Sequence, residues 1–96
     1  VPEVQMDVEW PDGTREWLYS PSTIVEEVFS PGGVHPLGEF VELTRQAMTE
    51  ASDRVRARYG FPCTRAAATL AAVEATATRL SGRAGEGDVR VAGFRR

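Results

Sequence analysis

The stretch from Pro36 to Cys63, PLGEFVELTRQAMTEASDRVRARYGFPC, constrains the fold more than any other. Leu37, Phe40, Val41, Thr44, Ala47, Met48, Ala51 and Val55 recur at steps of three and four. That spacing puts them on one stripe of a helix, facing a core. Glu39, Glu42, Gln46, Glu50, Asp53 and Arg54 take the other side. Glutamates gather early and arginines late, which complements the helix dipole. Pro36 suits the first turn of a helix, and Gly60 suits the left-handed residue that ends one. The pattern predicts a helix about 35 Å long at 1.5 Å per residue, broken at Gly60. Cys63, Ala66, Ala67, Leu70, Val73, Ala77 and Leu80 form a second stripe, which predicts another helix from Pro62 to Leu80.

The N-terminal segment has a different period. Val4, Met6, Val8 and Trp10 alternate with Gln5, Asp7 and Glu9, which is a strand with one apolar face. Pro11-Asp12-Gly13 is turn chemistry, and Thr14 to Tyr19 completes a hairpin. Two registers compete. A two-residue Asp-Gly turn sets Trp17 and Tyr19 opposite Val8 and Met6; a three-residue turn with a glycine bulge sets Leu18 there. The second is the commoner use of Pro-Asp-Gly. Ser20 and Ser22 are both candidate N-caps for a short helix over Thr23 to Phe29. Ser30-Pro31-Gly32-Gly33 reads as a flexible connection, and His35 as a loop residue. Ser81 to Gly87 is a polar linker, and Asp88 to Phe94 a last strand added to the hairpin. The expected class is α+β in the order β-β-α-α-α-β, one domain over 1–96 with 95–96 as a frayed tail.

Composition bounds the function. Hydrophobic residues at 42% and charged residues at 26% are ordinary globular values. No window approaches the roughly 20 apolar residues of a membrane span, and no signal-peptide pattern is present. One cysteine cannot form an intrachain disulfide. These features predict a cytoplasmic protein without membrane contact. Residues 1–50 hold ten acids against two arginines (−8), and residues 51–96 four acids against nine arginines (+5). Either a basic binding face or two halves with complementary surfaces follows, and the net charge of −3 favours the second. The same net charge argues against nucleic acid.

Candidate chemistry is sparse. Cys63 near a helix N-terminus is either a thiol of lowered pKa or a small buried hydrophobe. Arg54 and Arg58 lie one turn apart and present guanidinium forks suited to carboxylate or phosphate. With Tyr59 and Cys63 they make the one ligand-site hypothesis: Arg54, Arg58, Tyr59 and Cys63 around a small anionic nitrogen metabolite. Trp10, Trp17 and Tyr19 are the aromatic candidates for a protein interface. One histidine and one distant cysteine are not a metal set, and no cofactor motif is present. No catalytic residues are assigned.

Four blocks, Trp10-Pro11-Asp12-Gly13, Tyr19-Ser20-Pro21-Ser22, Pro36-Leu37 and Arg54-Val55-Arg56-Ala57-Arg58-Tyr59-Gly60-Phe61 with Cys63, resemble the small nitrogen starvation response proteins of actinobacteria, proteobacteria and cyanobacteria. The resemblance covers residues 3 to 92. It implies a gene cluster with a nitrilase and a setting of nitrogen limitation and nitrile or cyanide use, but no catalytic residue. At position 35 relatives are expected to carry an aromatic such as Tyr, and at position 18 often Cys. The expected role is therefore a non-catalytic accessory or binding protein that forms a homo-oligomer or docks on a partner enzyme. The alternative is a small-ligand protein or minor enzyme using the pocket around Cys63.

Overall fold

The computed structural model describes residues 3–61, 64–81 and 87–96. The elements are β1 (Val4–Glu9), β2 (Arg15–Ser20), α1 (Ile24–Val28), β3 (Val34–Pro36), α2 (Leu37–Tyr59), α3 (Thr64–Ser81) and β4 (Asp88–Arg95). The strands form one sheet in the order β2-β1-β4-β3, antiparallel throughout. The predicted α+β class and the predicted elements are all present, with one short strand added.

The hairpin takes the three-residue turn. The Trp10 N–H donates to the Thr14 carbonyl at 2.8 Å, and the Gly13 N–H to the Trp10 carbonyl at 2.8 Å. Gly13 sits at φ +90, a conformation that glycine adopts without a Cβ clash. Asp12 accepts hydrogen bonds from both the amide and the hydroxyl of Thr14. Those bonds, the Thr14 hydroxyl first, lower the Asp12 pKa. This turn sets Met6 opposite Leu18 and Val8 opposite Glu16. Leu18 is thus buried, and Trp17 and Tyr19 emerge on the opposite face of the sheet.

β4 pairs with β1 through a bulge. Asp7 faces Gly93 and Val8 faces Val91, so Ala92 is the extra residue. A bulge lets residues of odd separation share one face. Val89 and Val91 face the core before it, and Phe94, opposite Met6, packs against the core after it.

β3 lies within a segment that reads as connection and helix start. Its three residues pair with β4, His35 opposite Val89. The Gly32 N–H donates to the Val91 carbonyl at 2.7 Å, and the Val91 N–H to the Gly33 carbonyl at 2.8 Å. The glycine segment is therefore held on the sheet, and His35 is a strand residue, not a loop residue. Its ring meets Phe29 edge to face, with centroids 5.5 Å apart.

The helices cover one face of the sheet. Leu37, Phe40, Thr44, Ala47, Met48 and Ala51 of α2 are buried, as the stripe predicts. Phe40 is central: it meets Phe29 at 5.3 Å and Trp10 at 5.5 Å. From α3, Ala66, Thr69, Val73 and Leu80 are buried, whereas Ala67 is exposed. Thr69 points inward because its hydroxyl donates to the Tyr19 carbonyl at 2.9 Å, tying α3 to β2. Tyr19-Ser20-Pro21-Ser22 forms a buried turn. The Ser20 hydroxyl donates to the Ser22 carbonyl, and the Ser22 hydroxyl accepts from the Ile24 amide. The N-cap of α1 is Thr23, without a side-chain cap bond, so neither serine takes the predicted N-cap position; both hold the turn that precedes the helix.

The charge split is resolved largely inside the molecule. Arg54 reaches Glu27, Arg65 reaches Glu3, Arg79 reaches Asp12, Arg90 reaches Glu9 and Arg96 reaches Glu26. Each joins a guanidinium of the second half to a carboxylate of the first. Arg95 and Arg96, read from the sequence as a frayed end, are both engaged. Arg95 belongs to β4 and donates to Gln5, and Arg96 makes a two-bond contact with Glu26.

Candidate functional site

The end of α2 holds two of the four large hydrophobic side chains that are exposed among the described residues. Val55 is the last residue of the apolar stripe, and beyond it the helix runs past the core. Gly60 stops it at φ +86, with its N–H donating to the Arg56 carbonyl at 2.7 Å. Tyr59 and Phe61 flank this glycine and are 55% and 63% exposed. Their rings lie 6.4 Å apart at 37°. Arg58 stands 5.9 Å from the Tyr59 ring centre. Arg56 and Arg58 are exposed and have no carboxylate partner among the described residues. An aromatic pair rimmed by two unneutralised guanidinium groups therefore projects from a molecule of net charge −3.

The predicted ligand residues do not all meet there. Arg54 turns toward α1, with its guanidinium 3.4 Å from Glu27 and 3.6 Å from Glu50. Arg58 and Tyr59 do belong to the exposed end. Cys63 lies outside the described residues. Among the described residues no three His, Cys, Asp or Glu side chains are placed to hold a metal ion, and no helix is long and apolar enough to cross a membrane.

The three predicted interface aromatics separate. Trp10 is only 2% exposed and belongs to the core. Its indole N–H donates to Glu16 at 2.7 Å, and its ring packs on Phe40. Alternation along β1 turns it to the same side as Met6 and Val8, so it contributes no exposed surface. Trp17 and Tyr19 lie on the open side of the sheet, each under an arginine. Arg95 is 3.8 Å from the Trp17 ring centre, and Arg65 is 3.7 Å from that of Tyr19. The Tyr19 hydroxyl also donates to Glu3, which Arg65 reaches in turn. These contacts occupy the aromatic faces with the chain's own cations.

A family model described as nitrogen starvation-induced protein NitG matches residues 5–94. The chain belongs to this family. No curated protein and no solved structure shows significant similarity to it. The blocks that carry the resemblance divide by their place in the family member's fold. Trp10-Pro11-Asp12-Gly13 builds the hairpin turn, Tyr19 to Ser22 a buried turn, and Pro36-Leu37 the start of α2. The last block, Arg54 to Phe61, exposes most of its large side chains.

Phe61 and Arg56 complete the exposed end, although the ligand-site hypothesis passes over both. A sequence signal for them exists. Large apolar residues on either side of a helix-ending glycine, beyond the last residue of the core stripe, have no core left to enter.

Proposed function

We propose that this member of the nitrogen starvation-induced family is a non-catalytic accessory protein that acts by binding another protein surface through the end of α2. Its setting is the nitrile- and cyanide-related pathway that the resemblance implies. One observation carries the reading: Tyr59 and Phe61 are exposed side by side, rimmed by Arg56 and Arg58. Exposed aromatics with arginine are the residue types enriched at protein interfaces and their hot spots. Elsewhere Arg54, Arg65, Arg79, Arg90 and Arg96 of the second half are each paired with one of the chain's own acids. The alternative, a small anionic ligand held by Arg54, Arg58, Tyr59 and Cys63, draws less support, because Arg54 is already shared by two carboxylates.

Photo-crosslinking in nitrogen-limited cells tests this. A photoreactive residue in place of Phe61 is expected to give a discrete protein adduct. The same residue in place of the exposed Ala72 of α3 is expected to give none. Equal labelling at both sites, or none at position 61, removes the reading. Thermal stabilisation by millimolar amino acids, nitriles or cyanide, abolished by Arg58→Ala, would favour the ligand alternative instead.

A further inference from the structure

The last turn of α2 stands clear of the rest of the molecule. Ala51 is fully buried and Val55 half-buried, but residues 56–61 are exposed one after another. Successive helical positions are about 100° apart, so Arg56, Ala57, Arg58 and Tyr59 point to all sides of the helix. With an exposed residue in each direction, no side of this turn is packed on the body.

The charges of that turn lie on both sides of its ring. By the same spacing Tyr59 falls between the two arginines, about 60° from Arg56 on one side and about 100° from Arg58 on the other. Residues two apart in a helix do not face each other, so Arg56 and Arg58 do not converge on one small anion. Neither has a carboxylate partner among the described residues. The neighbouring cations are spent, Arg54 on Glu27 and Glu50, and Arg65 on Glu3 and the Tyr19 ring. The helix dipole favours cations in this turn, but it leaves Tyr59 and Phe61 bare.

We propose that this end of α2 enters an apolar cleft on a different protein, whose rim carries carboxylates on two opposite walls. Tyr59 and Phe61 fill the cleft, Arg56 meets the acids of one wall and Arg58 those of the other. This rests on the reading of the α2 end as the binding surface, and names the chemistry of its partner. A neutral cleft would desolvate two guanidinium groups without giving them a counter-charge, which is costly. An acidic helix lying along one side would meet only one of them. Because the chain as a whole carries −3, an acidic partner is repelled by the body and attracted at this end, which fixes the orientation of docking.

The chain contains no lysine, and this makes the rim directly readable. Arg56→Lys and Arg58→Lys each install a single lysine side chain, and a carbodiimide joins its amine to a carboxylate in contact as an amide. In extracts of nitrogen-limited cells, each variant is expected to couple to the same protein that position 61 crosslinks to. Peptide mapping should find different Asp or Glu residues joined at the two positions. Gln46→Lys, on an exposed part of α2 away from its end, is expected to give no such product. Arg56→Gln and Arg58→Gln should each lower the yield of the position-61 adduct by about fivefold or more. Gln46→Glu, which lowers the net charge equally, should leave that yield unchanged. Circular dichroism checks that every variant is folded. No coupling from either lysine, coupling of both to one carboxylate, coupling to a second copy of this chain, or an adduct undiminished by both glutamine variants would each overturn the acidic cleft. With the position-61 adduct still present, those results leave the protein-binding reading standing; absence of that adduct removes both.

Discussion

Trp10 and Phe40 meet edge to face, with ring centroids 5.5 Å apart and planes at 83°. This contact joins the hairpin to the long helix, and the other rings of the core gather around it. Phe40 is fully buried and touches Phe29 as well. Phe40→Ala is expected to cost about 3–5 kcal/mol, a large part of the stability of a small domain. Denaturant unfolding followed by tryptophan fluorescence measures it. A loss under about 1 kcal/mol would show that the core is not built around this ring.

The other side of Trp10 is polar. Its buried indole N–H donates to Glu16 at 2.7 Å. Glu16→Ala leaves that donor without its charged acceptor, at an expected cost of about 1–3 kcal/mol. Glu16→Gln keeps an acceptor and should recover part of the loss. Thermal melts of the two variants, compared side by side, check the order.

The aromatic pair at the end of α2 should behave in the opposite way. Tyr59→Ala and Phe61→Ala remove exposed rings and should change unfolding free energy by no more than about 0.5 kcal/mol. Gly60→Ala, between them, forces a Cβ into a left-handed conformation and should cost about 1–2 kcal/mol. If the ring deletions prove as costly as Gly60→Ala, the pair is holding the helix junction together and is not reserved for a partner.

Acid sensitivity follows from two carboxylates whose pKa values are lowered in the fold. Hydrogen bonds from Thr14 lower that of Asp12, and the Arg96 hydrogen bond lowers that of Glu26. A carboxylate with a depressed folded pKa stabilises the native state above its unfolded value, here 3.8 for Asp12 and 4.5 for Glu26. That contribution is lost as pH falls through the lower folded value. Asp12→Asn should therefore be less stable than the parent at neutral pH, and the gap should close as pH drops below 3.8. Urea midpoints across the acid range would reveal it; a gap that is constant with pH would mean the charge of Asp12 is irrelevant.

Much of this molecule is written locally. The stripe from Leu37 to Val55 implies α2 because helical period and apolar burial are properties of neighbouring residues. Gly60 implies the break because one residue alone must take positive φ. Pro-Asp-Gly favours the bulged turn, and the turn then sets which of Leu18 and Trp17 faces inward. Other decisions depend on residues far apart in the chain. The strand at Val34–Pro36 exists because β4, more than fifty positions later, offers it an edge. Bland glycine-rich sequence carries no sign of that.

The candidate site was legible in the same divided way. Arg58 and Tyr59 stand out in sequence and do lie on the exposed end of α2. Arg54 stands out equally, yet Glu27 and Glu50 claim it. Trp10 resembles Trp17 as a residue type, yet one is core and the other lies on the open sheet face. By itself the sequence determined the helices, the turn, the helix break and the sign of each half. Only the tertiary structure decided which arginines are neutralised and which aromatics are covered. The physical reason is that periodicity and backbone preference act over a few residues, whereas burial and ion pairing depend on what the rest of the chain brings alongside.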